Sequence, residues 1–401
     1  MNRRCLQSLP LAVAIEGCTA CTSSNGRGVP DSGAGSDSAT LAAPGDESVG
    51  EASSDAPVSS GDASLSEAGS DASAADGAPA GPSMASCQAS GPGLANCGAR
   101  GESCCTSLEV SGGTYYRTYD PIDGDGAVGL APDGGPTGEA DPATVSTLRL
   151  DKYVVTVGRF RRFVSAWNAG YVPPVGSGKH SYLNGGNGLN ATGGGYEPGW
   201  VAEDDSNVAP TDGNLSCDPL FATWTNAVGT QENLPINCVN WYEAYAFCIW
   251  DGGSLPSEAE WEYAAAGGSE QRAYPWGSAA PGTGCPGGCQ YAIYDCDFPN
   301  GSGSCTGVES ISPVGYASQG AGLWGQLDLA GEVFEWTLDW DDPYVNPCAD
   351  CADLAASPSS SRVLRGGAYY YFASTLLPSN RLGIPPTYRG NYIGFRCSRS
   401  P

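Results

Sequence analysis

The stretch 234-LPINCVNWYEAYAFCIWDGGSLPSEAEWEYAAAGGSEQRAYPWG-277 decides how the rest of the chain is read. It holds two helix signals in tandem. Asn240 with Glu243 three residues later is a capping box, and Gly252-Gly253 is the stop. Trp241, Tyr245 and Cys248 then share one helical face. Ser257 with Glu260 is a second capping box, closed by Gly267, and the PWG at 275–277 turns the chain away. Two short capped helices rich in tryptophan and tyrosine need a sheet or loops to pack against.

The flanking sequence supplies such segments. SGGTYYRTYD at 111–120 reads as a strand entering a turn, and LRLDKYVVT at 148–156 alternates as a strand does. A helix follows, with Thr156 as N-cap, Phe160, Phe163, Val164 and Trp167 on one face, and Gly170 at its end. Residues 171–235 are rich in Gly and Asn and read as long surface loops.

Three further blocks stand in order around the opening stretch. LDKYVVTVGRFRRFVSAW spans 150–167, GLWGQLDLAGEVFEWTLDW spans 322–340, and RVLRGGAYY with GNYIGFRC lies within 362–397. Together with the SLPSEAEWEYAAAGG and YPWG of the helical stretch, they resemble the formylglycine-generating enzyme, or sulfatase-modifying factor, family. The resemblance covers about residues 145–398 and implies an α+β fold, related to C-type lectin-like domains, low in regular secondary structure and rich in disulfides.

The resemblance also sets an expectation about chemistry. Family members that convert a substrate cysteine to formylglycine hold Cu(I) between two cysteines, five apart, just after the RGG. Counted forward from Gly367, those positions fall near Tyr371 and Leu376; counted back from Cys397, near Ala368 and Ala373. No cysteine lies between 351 and 397, and the methionines are Met1 and Met84. Cu(I) needs soft ligands, so copper is not expected here. The family's iron-dependent sulfoxide synthases need three histidines, whereas this chain has His180 alone, read as a surface residue in the loop GSGKHSY. The expectation is therefore a non-catalytic chain that binds a peptide or a glycan; the alternative is a formylglycine-generating oxidase with relocated ligands.

Other site residues follow from the same resemblance. The family's GNVWEW turn coordinates calcium, and here the matching stretch gives Gly331, Val333 and Glu335 as ligands, with Glu332 adding a carboxylate that suits a hard cation. The resemblance pairs Cys248 with Cys397. Arg365, Tyr369, Tyr371 and Arg381 are expected to line a ligand groove behind the RGG, with two of the four aromatics at 369–372 turned into the core.

Composition bounds the rest. The net charge of −26 repels phosphate backbones and argues against nucleic acid as a partner. Of 17 cysteines, Cys5, Cys18 and Cys21 fall in the leader, and the remaining fourteen are an even, dense set that reads as disulfides in an oxidising compartment. CPGGC at 285–289 and CADC at 348–351 have metal-like spacing and could together hold zinc, as could the four cysteines of 87–105, but that compartment favours disulfides. The vicinal Cys104 and Cys105 must each reach elsewhere.

Residues 1–21 read as a signal peptide, with Arg3 and Arg4 before a short apolar run, too short to span a membrane. IEGC at 15–18 resembles a lipobox, making Cys18 the candidate for lipidation, with Cys21 as the second. Residues 22–86 are Ser, Ala, Gly, Asp and Pro without Phe, Trp, Tyr or Ile; such a stretch cannot bury enough to offset chain entropy and reads as a disordered linker. The expected order is leader, linker, a cysteine-rich segment at 87–109 and one domain at 110–401. The expected location is secreted, lipid-anchored at the outer membrane of a Gram-negative bacterium, with the lipid as the only membrane contact.

Overall fold

The computed structural model describes residues 84–88, 90–121, 136–282, 288–355 and 360–401. The expected leader with Cys18, and the linker up to residue 83, lie outside the described residues, as does Cys285. Among the described residues no helix is long and apolar enough to cross a membrane.

The elements run β1 (Ser107–Val110), β2 (Gly113–Asp120), β3 (Thr137–Val145), β4 (Leu148–Asp151), α1 (Val157–Asn168), β5 (Asn190–Ala191), α2 (Asp212–Leu215), α3 (Trp241–Trp250) and α4 (Glu258–Ala266). The C-terminal third adds β6 (Phe334–Trp340), β7 (Cys348–Ala349), β8 (Cys351–Ala352), β9 (Arg362–Arg365), β10 (Leu382–Ile384), β11 (Ile393–Gly394) and β12 (Ser398–Arg399). The largest sheet has the order β10-β9-β6-β11, with β9 antiparallel and β11 parallel to β6. Smaller sheets are β1-β4-β12, β2-β3-β7 and β5-β8. The strand expected over 148–156 is regular only to Asp151.

All three longer helices carry their expected caps. Thr156 accepts from the Arg159 N–H, and both capping boxes, Asn240 with Glu243 and Ser257 with Glu260, are reciprocal. Gly267 ends α4 at φ 68°, a left-handed conformation that glycine adopts without cost. Strand β6 is buried along nearly its whole length, which is why FEWTLDW does not alternate. The main core joins Phe160 and Phe163 of α1, Phe247 of α3, Trp336 of β6 and Phe395, all under 2 % exposed. Phe247 meets Phe395 at 5.3 Å and Phe160 at 5.8 Å, ring separations typical of favourable aromatic pairs.

The loops of 171–235 differ from the expectation. They are irregular, with only short helical turns, but they are not all surface: Leu183, Leu189, Trp200, Leu215 and Trp224 are buried in the main core. A glycine-rich chain places backbone anywhere; the apolar side chains spaced along it decide which stretches go inside.

Disulfides tie this irregular chain together. Cys248 of α3 bonds Cys397 at 2.05 Å, fastening the C-terminal strand to the central helix across a separation of 149 residues. Cys97 bonds Cys104 and Cys87 bonds Cys105, so the vicinal cysteines do reach elsewhere. Cys217–Cys238, Cys296–Cys305 and Cys348–Cys351 are further bridges, and Cys289 is also disulfide-bonded. The CADC pair is closed on itself and is not half of a zinc site.

Buried ion pairs do the rest. Arg159 reaches Asp151 at 2.9 Å and Asp251 at 2.7 Å, and Arg399 contacts the same two carboxylates at 3.2 and 2.9 Å. Two guanidiniums facing two carboxylates leave no net buried charge, the condition under which such a cluster is tolerated.

Candidate functional site

The residues behind the RGG do not form the groove expected of them. Arg365 is fully buried. Its guanidinium donates to Glu258 at 2.6 Å, Glu262 at 2.9 Å, the Tyr344 hydroxyl and the carbonyls of Pro378 and Asn380. Arg381 packs on the same carboxylate, donating to Glu258 at 2.8 and 3.0 Å. Both arginines are thus committed to α4, and they hold the segment after β9 against it. Tyr369 is buried between Phe221 and Tyr370. Of the four expected groove residues, Arg365 and Tyr369 are core: Arg365 is drawn in by the buried acids of α4, and Tyr369 packs in an apolar cluster with Ile293 and Ile311.

What the segment leaves accessible is a cluster of rings. Tyr371 sits edge-on to Phe334 at 5.0 Å and lies 4.7 Å from Tyr370 and 5.6 Å from Tyr392. Tyr388 extends the cluster through Tyr392, and the Phe372 side chain stands 71 % exposed beside it. Of the four aromatics at 369–372, one is buried, two are partly buried and one faces out.

The positions where a copper-binding pair is expected part company. Tyr371 belongs to the tyrosine cluster, whereas Leu376 is buried with Ala273, Tyr274, Ala292, Tyr294 and Ala330. By the other count, Ala368 is buried in the main core and Ala373 lies at the edge of the Leu376 cluster. Neither count places a thiol or thioether, and every cysteine among the described residues is disulfide-bonded. The residues present do not fit Cu(I).

The expected calcium turn does not fit its cation through Glu335. Both oxygens of Glu335 are held by Arg396, at 2.6 and 2.7 Å, and one also accepts from the Trp261 indole N–H at 3.0 Å. Arg396 is itself buried and spends its remaining donors on the carbonyls of Asp151, Lys152 and Leu327. Glu335 is therefore the counter-charge of the GFRC strand. Gly331, at φ 80°, lies so close to Ile293 that a Cβ would meet its carbonyl oxygen at 2.3 Å, and Val333 is core. Glu332 accepts from the Ser312 N–H and hydroxyl, and burial together with neighbouring Asp328 raises its pKa well above the usual range.

His180 is not a surface residue. It is buried between two acids, with Nδ1 3.0 Å from Glu197 and Nε2 3.0 Å from Glu260 and 3.1 Å from the Ser398 hydroxyl. Burial alone would lower its pKa, but Glu260 and Glu197 outweigh burial and hold it well above the ordinary value. The imidazolium joins the loop at 180 to α4 and to the C-terminal strand, with no access for substrate.

Sequence reasoning missed a cleft at the far end of β6. The register sets Trp340 opposite Arg362 across β6 and β9. The guanidinium of Arg362 lies between two indoles, 3.6 Å from the Trp340 ring centroid and 4.0 Å from that of Trp241. It donates to the Leu338 carbonyl at 2.6 Å, while its buried Nε–H meets no partner among the described residues. A cavity of about 290 Å³ opens beside it, lined by Trp241, Tyr245, Leu338, Trp340, Leu354 and Asp204 among others. Burial raises the Asp204 carboxyl to about 6, against the opposing pull of Arg362, and lowers Arg362 to about 10. The signal was present, since WTLDW and RVLRGG were both singled out; only the cross-strand register brings their ends together.

Comparison with known proteins agrees with this architecture. Residues 97–401 match the family described as sulfatase-modifying factor enzyme 1-like domain. The formylglycine-generating enzyme of Streptomyces coelicolor is 36 % identical over 173 residues, covering 41 % of this chain and 52 % of that protein. A bovine protein named inactive C-alpha-formylglycine-generating enzyme 2 is 31 % identical over 177 residues, covering 42 % of this chain and 52 % of its own length. The chain thus spans about half the length of these curated relatives, although the formylglycine-generating enzyme of Thermomonospora curvata, 29 % identical, aligns over 66 % of this chain and 86 % of its own. Among solved structures, PvdO from Pseudomonas aeruginosa superposes with a TM-score of 0.46 at 20 % identity, over 78 % of this chain and all of that one. The chain belongs to the sulfatase-modifying factor family and has its α+β fold, rich in disulfides.

Proposed function

From membership of that family we infer that this domain is a non-catalytic binding member, held outside the cytosol, that recognises a peptide or a glycan. One observation carries the reading. The described domain has no free thiol, because each of its cysteines is spent in a disulfide, and the positions after the RGG carry Tyr371 and Leu376 in separate apolar clusters. Copper-dependent oxidation of a substrate cysteine needs a thiolate pair to hold the metal. Disulfide bonding of this density also supports an oxidising compartment, which agrees with the leader and its proposed lipid on Cys18. That some relatives are named as formylglycine-generating enzymes and others as inactive agrees with a scaffold that persists without the chemistry.

The test is turnover. The purified domain, given Cu(I), oxygen and a thiol reductant, is incubated with a cysteine-containing sulfatase peptide, and the peptide is read by mass spectrometry for aldehyde. The expected result is unmodified cysteine at the level of the protein-free control. Conversion above that control would return the chain to the formylglycine-generating oxidases.

A further inference from the structure

The cleft at the far end of β6 is a built recess to which no role has yet been assigned. Three features define what could occupy it. Its walls are flat and apolar: Trp241, Trp340, Tyr245, Leu338 and Leu354. Its polar equipment is one fixed cation and one acid. Arg362 is immobilised between the two indoles and keeps a buried N–H without a partner among the described residues. The carboxylate of Asp204, carried on the short helical turn Ala202–Asn207, likewise hydrogen-bonds to no described residue. The remaining acid of the lining, Glu197, is already bonded to His180.

These features select a chemistry. A guanidinium with spare donors asks for an acceptor, and an unpaired carboxylate asks for a donor. A ligand bearing only one kind of group would satisfy one residue and leave the other desolvated, which is costly. A ligand with net negative charge would face Asp204, and one with net positive charge would face Arg362. Hydroxyl groups donate and accept at once. The indole and tyrosine faces ask for a flat body of C–H groups, and a volume near 290 Å³ is at the small end of ligand sites, sized for about one ring.

We propose that the cleft between Trp340, Trp241, Arg362 and Asp204 binds a single neutral sugar ring of a glycan, its C–H face on the aromatic wall and its hydroxyls shared between Arg362 and Asp204. The proposal rests on the binding reading above and narrows its peptide-or-glycan choice to the glycan. It also separates this recess from the tyrosine cluster behind the RGG, which shares no lining residue with it.

The experiment uses the folded domain and an array of neutral oligosaccharides built from hexoses, pentoses and N-acetylhexosamines, followed by titration of each hit against tryptophan fluorescence. Trigalacturonate and a tyrosine-rich peptide are the charged and peptide controls. The expected result is saturable binding of at least one neutral oligosaccharide, weakened tenfold or more in Asp204→Ala. That variant is read beside its own melting curve, because removing the Asp204 carboxylate also withdraws its attraction for the Arg362 guanidinium. Trp340→Leu, read beside its own melting curve, should weaken binding similarly. Absence of binding across the array, unchanged affinity in both variants, or tighter binding of trigalacturonate or the peptide would overturn the assignment. These outcomes are independent of the peptide-oxidation assay, so a silent enzyme that binds no sugar loses this inference alone, and an active one loses the non-catalytic reading alone.

Discussion

His180 is held protonated by Glu197 and Glu260, so its folded pKa lies above the unfolded value of 6.5. The stabilisation is therefore complete below about pH 6.5 and is lost as pH rises through the folded value. We expect His180→Gln to remove this part of the pH dependence and to lower stability by about 3 kcal/mol at pH 6, checked by urea unfolding at a series of pH values. Glu335→Gln should cost on the order of 3–5 kcal/mol, because it leaves the buried Arg396 guanidinium without a counter-charge. A loss below about 0.5 kcal/mol would mean that Arg396 finds another partner. Neither role was legible beforehand. A lone histidine in a glycine-rich loop reads as exposed, and Glu335 in a turn of carbonyls reads as a cation ligand. For His180 the partners lie 17 and 80 residues away in sequence, and for Glu335 the partner lies 61 away; they meet only in three dimensions.

At the scale of elements, the signals that depend on contacts within a few positions match the structure. Both capping boxes, the Thr156 cap and the Gly267 stop stand where the residues put them, because each depends on contacts within a few positions. Ser257→Ala should therefore lower stability by about 1 kcal/mol, read from the shift of the urea midpoint. Loops 171–235 read as surface because glycine content reports backbone freedom and not burial, whereas Leu183, Leu189 and Trp200 lie in the core. Arg365 reads as groove lining but is drawn inward by Glu258 and Glu262 of α4, and Tyr369 is drawn inward by the apolar cluster of Ile293 and Phe221. The bridges differ in what they constrain. Cys248–Cys397 closes a separation of 149 residues and Cys348–Cys351 one of 3. By loop entropy, replacing the first pair with serines should cost about 5 kcal/mol and the second about 2 kcal/mol, a ranking that thermal unfolding of the two double variants checks. Equal losses would show that packing around each bridge outweighs the chain constraint.

At the scale of the whole molecule, the family frame is retained while the positions that would carry oxidase chemistry are filled by rings and aliphatic side chains. The blocks that made the family legible, among them the WEY helix, the FEW strand, RGG and GFRC, build the core. In this chain Trp261 of α4 donates to Glu335, Glu335 pairs Arg396, and Arg365 pairs Glu258. Their match therefore reports the scaffold. Because Arg396 neutralises Glu335, we expect a calcium chelator to leave the melting temperature unchanged within about 1 °C, measured with and without added calcium. A rise of several degrees on adding calcium would place a cation elsewhere in the turn.

We propose that a formylglycine-generating frame persists here without its thiolate pair. A joint count of reactive thiols and bound copper on the purified, non-reduced protein tests it most directly. The expected result is no reactive thiol in the described domain, by alkylation and peptide mapping, and no copper retained after dialysis against Cu(I). Two reactive cysteines in that domain together holding one equivalent of copper would contradict it.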